Sequence, residues 1–170
     1  IGNYTNVVSG GFAGSAATDN EGPDIKLYMN DTLFRDGGIT DKNPRLLAII
    51  EDKSGINTAG SAIGHDLTAF LDNDLDGSFN LNSYFENDLD TYNRGRVSYD
   101  LLSLSQGSHT VTLKAWDNYN NSSEQTLLFV VESDGKFILR NLLNYPNPFH
   151  NETRITGQQN RPDDDLEILI

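Results

Sequence analysis

The residues best suited to chemistry in this 170-residue sequence are acids set at alternate positions. Asp72, Asp74, Asp76 and Gly77 spell D-x-D-x-D-G. That is the opening of a loop whose alternate carboxylates converge on one hard cation, calcium above all. The position that would supply a bidentate Glu is Ser83, and a strand pattern precedes Asp72 where an EF-hand needs a helix. A looser loop site, helped by Glu86, Asp88 or Asp90, is the form left open. From residue 72 to residue 90 there are six acids and no base, and a cation would ease their mutual repulsion. The competing reading is a solvated acidic connection between two strands. Asp72, Asp74 and Asp76 are thus the candidate calcium ligands, and no other cofactor is expected.

A second set of acids is scattered. Asp19, Glu21 and Asp24 lie where the first strand pattern begins, and Asp52 and Asp117 end two others. Acids at such a junction can share a cation and stiffen it; ordinary turn chemistry explains them as well. His65, His109 and His150 have no metal-ligand spacing. His109 alternates with apolar residues and reads as a strand histidine, while His65 reads as a turn residue. Ser61 lacks the G-x-S-x-G frame of a nucleophile elbow. Trp116, the one tryptophan, suggests a sugar platform with Tyr119 and Tyr92, or a side chain packed at the rim of a core. No catalytic constellation emerges.

The elements that must position these residues are strands, because the dominant apolar period is two. Ile25, Leu27 and Met29 alternate, as do Leu47 and Ile49, Leu67, Ala69 and Leu71, and Val97, Tyr99 and Leu101. His109, Val111, Leu113 and Ala115 share one face of the strand pattern at 108–117, with Thr110, Thr112 and Lys114 on the other. Residues 125–131 close the set. Gly, Asn, Asp and Ser clusters separate the runs and signal turns. Six or seven short strands over about 110 residues match the size of an immunoglobulin-like sandwich, about 100 residues. The expected organisation is a strand remnant and linker at 1–21, an immunoglobulin-like β-sandwich at 22–133, and the truncated start of a second β-domain at 134–170. Strand patterns at 138–144, 153–156 and 166–170 mark that last part. A chain ending on the apolar alternation of 166–170 reads as an excised fragment.

Composition narrows the classes further. Twenty-five acids against twelve bases give a net charge of −13, which argues against nucleic acid and against an anionic membrane surface. The absence of cysteine excludes a disulfide scaffold, a thiolate zinc site and a cysteine nucleophile within this sequence. The longest apolar stretch, Leu127 to Val131, is far too short to span a bilayer as a helix, so direct membrane insertion is not expected.

Four segments in order carry a family resemblance. They are Asp19-Asn20-Glu21-Gly22-Pro23-Asp24-Ile25; Gly55-Ile56-Asn57-Thr58 leading to Gly64-His65-Asp66-Leu67-Thr68-Ala69; the run from His109 through Trp116-Asp117-Asn118-Tyr119-Asn120-Asn121 to Ser123; and Asn144-Tyr145-Pro146-Asn147-Pro148-Phe149 followed by Asn160-Arg161-Pro162. Together they resemble the region downstream of the peptidase domain in the gingipain-like signal peptidases, or sortases, of Bacteroidetes type IX secretion. The last segment is similar to the start of the C-terminal sorting domains of that system. The resemblance implies a parent cysteine peptidase on the extracellular face of the outer membrane, reached through the periplasm. Such an enzyme removes the sorting signal of secreted cargo and helps attach the cargo to lipopolysaccharide. Its catalytic Cys and His lie upstream, so no catalytic residue carries over. This chain would then be a non-catalytic supporting and docking domain. Its implied partners are the parent peptidase domain, other outer-membrane subunits of the system and cargo sorting domains. The acid-rich run at 72–77 departs from the family. The alternative is a carbohydrate-binding or adhesion module of another type IX-secreted surface protein.

Overall fold

The computed structural model describes residues 19–59, 64–132 and 137–160, and over these the chain is all-β. Ser61, residues 1–18 and the strand pattern at 166–170 lie outside the described residues. One four-stranded sheet has the order β1 (Asp24–Met29), β3 (Arg45–Glu51), β7 (Arg94–Asp100), β6 (Phe85–Asn87), antiparallel throughout. A five-stranded sheet runs β2 (Gly38–Thr40), β9 (Ser122–Val131), β8 (Gly107–Trp116), β4 (Thr68–Leu71), β5 (Phe79–Asn80). Within it β2 is parallel to β9 and the remaining pairs are antiparallel. A 3-10 turn, Asn82–Tyr84, joins β5 to β6. The hairpin of β10 (Leu139–Tyr145) and β11 (Arg154–Gln159) forms a two-stranded sheet of its own.

The core lies between the two larger sheets. Ile25, Leu27 and Met29 of β1 point inward, as do His109, Val111, Leu113 and Ala115 of β8, in agreement with their alternation. Phe129 of β9 is fully buried against them, a contribution of about 1.5–3 kcal/mol for a side chain of that size. On β3 the inward residues are Leu46, Ala48 and Ile50, and Leu47 and Ile49 face outward, half-buried. This strand is apolar in both phases, so the sequence pattern could not choose its face. Register chose it: Met29 sits opposite Leu46, Leu27 opposite Ala48, and Ile25 opposite Ile50, aligning the buried residues of both strands. The strands β2, β5 and β6 are three residues or fewer and too short to leave a period.

Long β8 and β9 pair along their whole lengths, from Gly107 opposite Val131 to Trp116 opposite Ser122. Their shared turn at 117–121 therefore stands at one end of the sandwich. The turn after β3 and the segment leading into β1 reach that same end, while the β10–β11 hairpin follows β9 from the other.

Candidate functional site

Two glycines let three segments meet at that end. Gly22 lies flat on β9, where an added Cβ would sit 2.5 Å from the Ser122 carbonyl carbon and 2.7 Å from Ser123 Oγ. Gly55 takes a φ of +86°, and a Cβ there would meet Asn118 Nδ2 at 2.6 Å. The turns after β3 and β8 are then stitched together. Asn118 N donates to Gly55 O (3.2 Å), Asn57 N to Trp116 O (2.8 Å), and Asn118 Nδ2 to Ser54 O (2.8 Å). Asn121 Nδ2 donates to Asp19 O (3.2 Å), which ties the leading segment across both turns.

The result gathers carboxylates from distant parts of the chain. Ligand oxygens of Asp19, Asp52 and Asp117 all lie within 4.8 Å of one another. Asp117 is fully buried and works first as a turn builder. Its Oδ1 accepts from Tyr119 N (2.8 Å) and Asn121 N (2.7 Å), and its Oδ2 accepts from Asn121 Nδ2 (2.7 Å). Asp52, 9% exposed, accepts from Ser54 N through Oδ1 (2.7 Å). Asp19 accepts from Glu21 N (3.1 Å) and from the Ser54 hydroxyl. Burial raises the Asp52 pKa above the usual carboxylate range, and the charges of Asp117, Asp19 and Glu21 push the same way against the Ser54 amide. Asp19 moves in the opposite direction, held down by the Ser54 hydroxyl first, then the Glu21 amide and the charge of Lys53. Chemically this is a half-buried oxygen cluster, one of whose members, Asp52, is driven toward protonation first by burial and then by the charges of its neighbours. A hard divalent cation would relieve that repulsion.

The D-x-D-x-D-G run is arranged otherwise. Asp72, Asp74 and Asp76 are all exposed, and among the described residues the trio whose ligand atoms converge is the junction one. Asp72 Oδ2 lies 2.7 Å from Nδ1 of the buried His109, and Asp72 Oδ1 accepts from Thr110 N (2.8 Å). Asp74 caps its own turn by accepting from Gly77 N (3.1 Å). Further along, Asp88 lies 3.4 Å from Arg94 Nε and 3.0 Å from Arg96 Nε, and Glu86 pairs in register with Arg96. The stretch from residue 72 to residue 90 contains no base, yet β7 and β8 bring Arg94, Arg96 and His109 to it from later in the sequence. That cross-strand supply was invisible in a local count.

Trp116 is half-buried. Its ring centroid is 4.2 Å from that of His65, and Lys114 Nζ lies 5.2 Å from it, so the ring already has polar company. Tyr92 and Tyr119 are 70% and 53% exposed. Among the described residues no hydrogen bond or ion pair joins any two of His65, Asp66, Glu86 and Asp117; Asp66 instead accepts from Asn82 Nδ2 (2.6 Å). With no cysteine, the chain is not itself a catalytic cysteine peptidase.

No protein-family model matches the sequence, and no curated protein matches it. Among solved structures, the chain is similar to dimeric latent PorU from Porphyromonas gingivalis, with 32% sequence identity and a TM-score of 0.65. That match covers 85% of this chain and 13% of the PorU chain, so the sequence spans a small part of PorU's length. The likeness relates this all-β chain to one segment of PorU, and the family resemblance of its sequence has a structural counterpart.

Proposed function

We propose that the chain is a non-catalytic supporting and docking domain of a gingipain-like cysteine peptidase that processes type IX secretion cargo at the cell surface. The observation that carries this reading is the 32% identity to PorU across 85% of the chain, joined to the absence of cysteine. The parent would be a peptidase and sortase whose nucleophile lies in another domain, exported through the periplasm to the outer face of the outer membrane. Its partners would be the peptidase domain, outer-membrane subunits and cargo sorting domains. The sheet orders support an immunoglobulin-like frame: β1-β3-β7-β6 packs against a sheet that contains β9-β8-β4, which is the ABED against GFC arrangement. The β10–β11 hairpin would open the second β-domain.

Within this reading the sandwich is a rigid spacer, and the acidic junction is the part that anchors the leading segment from residue 19 onward. Calcium at Asp19, Asp52 and Asp117 would lock the leading segment to the turns after β3 and β8. The carbohydrate-binding alternative relies on open Trp116 and Tyr119 rings; Trp116 is half-buried and Tyr119 is 53% exposed.

The test is deletion in the parent. Removing the residues of this domain from the full-length protein should abolish cargo processing in cells and reduce the amount of parent at the surface. A variant lacking the catalytic cysteine should lose processing and keep its surface level. Cargo processing that survives the deletion would sink the proposal, as would a parent gene that encodes no cysteine-peptidase domain.

A further inference from the structure

At the end of the sandwich away from the acidic junction, the turn after β1 and the β10–β11 hairpin face each other across an open cleft of about 350 Å³. The turn is held at several points. Gly37 N donates to Leu128 O (2.8 Å) and Asp36 Oδ1 accepts from Leu128 N (2.8 Å), which pins it to β9. Asp31 Oδ1 accepts from Leu33 N (2.6 Å), and Gly38 N donates to Arg35 O (2.8 Å). The Phe34 ring lies against Gly38, where a Cβ would sit 2.7 Å from Cζ, and it helps to wall the cleft. The opposite wall comes from an irregular strand. The register of β10 on β11 shifts between Arg140 and Leu143, and such a bulge re-aims a side chain. Leu142 lies within that shift and lines the cleft, with Gly157 leaving room beside it. Leu33 and Leu142, 85% and 52% exposed, thus present apolar surface to one opening.

Arg35 supplies a positive charge to this cleft. Arg45, Arg94, Arg96 and Arg140 lie 2.6 Å, 3.4 Å, 3.0 Å and 2.7 Å from carboxylate oxygens, whereas Arg35 has no ion-pair partner among the described residues. In a chain of net charge −13, an unpaired guanidinium beside apolar walls is suited to a carboxylate brought by a ligand. Asn30 adds a donor, because Arg45 N (2.9 Å) takes its Oδ1 and leaves the amide nitrogen. Asp31 is the acid that lines the cleft, and it disfavours a second negative charge on the ligand. We propose that the cleft binds an extended segment of another protein in which one acidic side chain adjoins a large apolar one. The carboxylate pairs with Arg35, and the apolar side chain lies between Leu33 and Leu142. The exposure of those two leucines suits a segment laid across the cleft better than a small molecule enclosed by it. Nothing in the cleft depends on the parent being a peptidase.

The experiment is an NMR titration of the full chain with two blocked tripeptides, acetyl-Leu-Glu-Phe-amide and its twin with Gln in place of Glu. Amide signals should move in residues 30–39 and 139–159, and the Glu peptide should bind about tenfold tighter than the Gln peptide. Arg35→Gln should erase that preference. Leu33→Ser should weaken both peptides several-fold and keep the preference, while Lys53→Gln, near the acidic junction, should change neither. Arg35, Leu33 and Lys53 are exposed, so these variants keep the fold, which their own spectra verify. Equal affinity for the two peptides overturns the proposal, and so does an Arg35→Gln variant that still prefers the Glu peptide. Signals that move only elsewhere, or none that move at about 10 mM peptide, overturn it as well.

Discussion

Two acidic regions of this molecule look alike in composition and differ in construction. The turn at 72–77 places its acids at alternate positions, yet they stay exposed and spread out. The junction draws Asp19, Asp52 and Asp117 from positions up to 98 residues apart and brings their oxygens within 4.8 Å. Alternation places side chains on one face of an extended segment, but convergence on a point needs a tight loop or several loops meeting. At the junction several loops meet, held by Gly22, Gly55 and Asn121. In the turn Asp74 instead caps the Gly77 amide and Asp72 binds His109 and Thr110 of β8, and those bonds hold the two apart.

The comparison can be broken most forcefully at Asp117. Asp117→Ala strips the acceptor from two backbone amides and a half-buried carboxamide, and we expect a loss of about 3 kcal/mol. On a chain of this size that is a fall of roughly 6–12 °C in Tm, measured by thermal or denaturant unfolding. A loss below about 1 kcal/mol would mean that the turn at 117–121 does not depend on it.

Calcium gives the next effect. At a hundredfold excess over Kd, a specific ion would stabilise by about 2.7 kcal/mol. Calorimetry with calcium chloride and with chelator should show a higher Tm in calcium, lost in Asp52→Asn and kept in Asp74→Asn. The reverse pattern would return the cation to the D-x-D-x-D-G run.

In chelator, Asp52→Asn should raise Tm at neutral pH by about 2–4 °C, the response to roughly 1 kcal/mol. Asparagine keeps an acceptor for Ser54 N and removes one of three crowded charges. The sign follows from the raised Asp52 pKa: its stabilising contribution is present below the unfolded-state value and lost as pH rises through the folded one. Asp19, with its pKa lowered, contributes in the opposite sense and loses its part as pH falls. In Asp52→Asn the decline of Tm with rising pH just above the carboxylate range should therefore flatten. A drop in Tm at neutral pH would show that the ionised Asp52 is needed where it stands.

The smallest effects belong to the exposed turn. Asp74→Ala loses one cap to Gly77 N, and Asp76→Ala should lie within about 0.5 kcal/mol of the parent chain. A cost at Asp76 as large as that at Asp117 would erase the distinction between the two regions.

Legibility in the sequence follows physical range. Alternation identified β1, β4, β7 and β8, because each strand buries one face and a period of two reports that directly; β9 was marked by a continuous apolar run instead. Alternation failed on β3, whose R-L-L-A-I-I-E is apolar in both phases, and on the short β2, β5 and β6. His109 was readable as a strand histidine from its place among Val111, Leu113 and Ala115, but its carboxylate partner was not, because Asp72 is 37 residues away. Asp19, Asp52 and Asp117 were each recognisable as acids where strands begin or end. Their meeting was not legible, since it depends on Gly55 turning back toward Asn118 and on Asn121 reaching the leading segment.

The sequence by itself determined the all-β class, the lack of a cysteine nucleophile and the excess of acid, because these rest on residue types and on contacts along one strand. The tertiary structure decided which acids have partners and which crowd one another. Electrostatic interaction depends on distance through space, and distance between residues on different loops is set only when the sheets have packed.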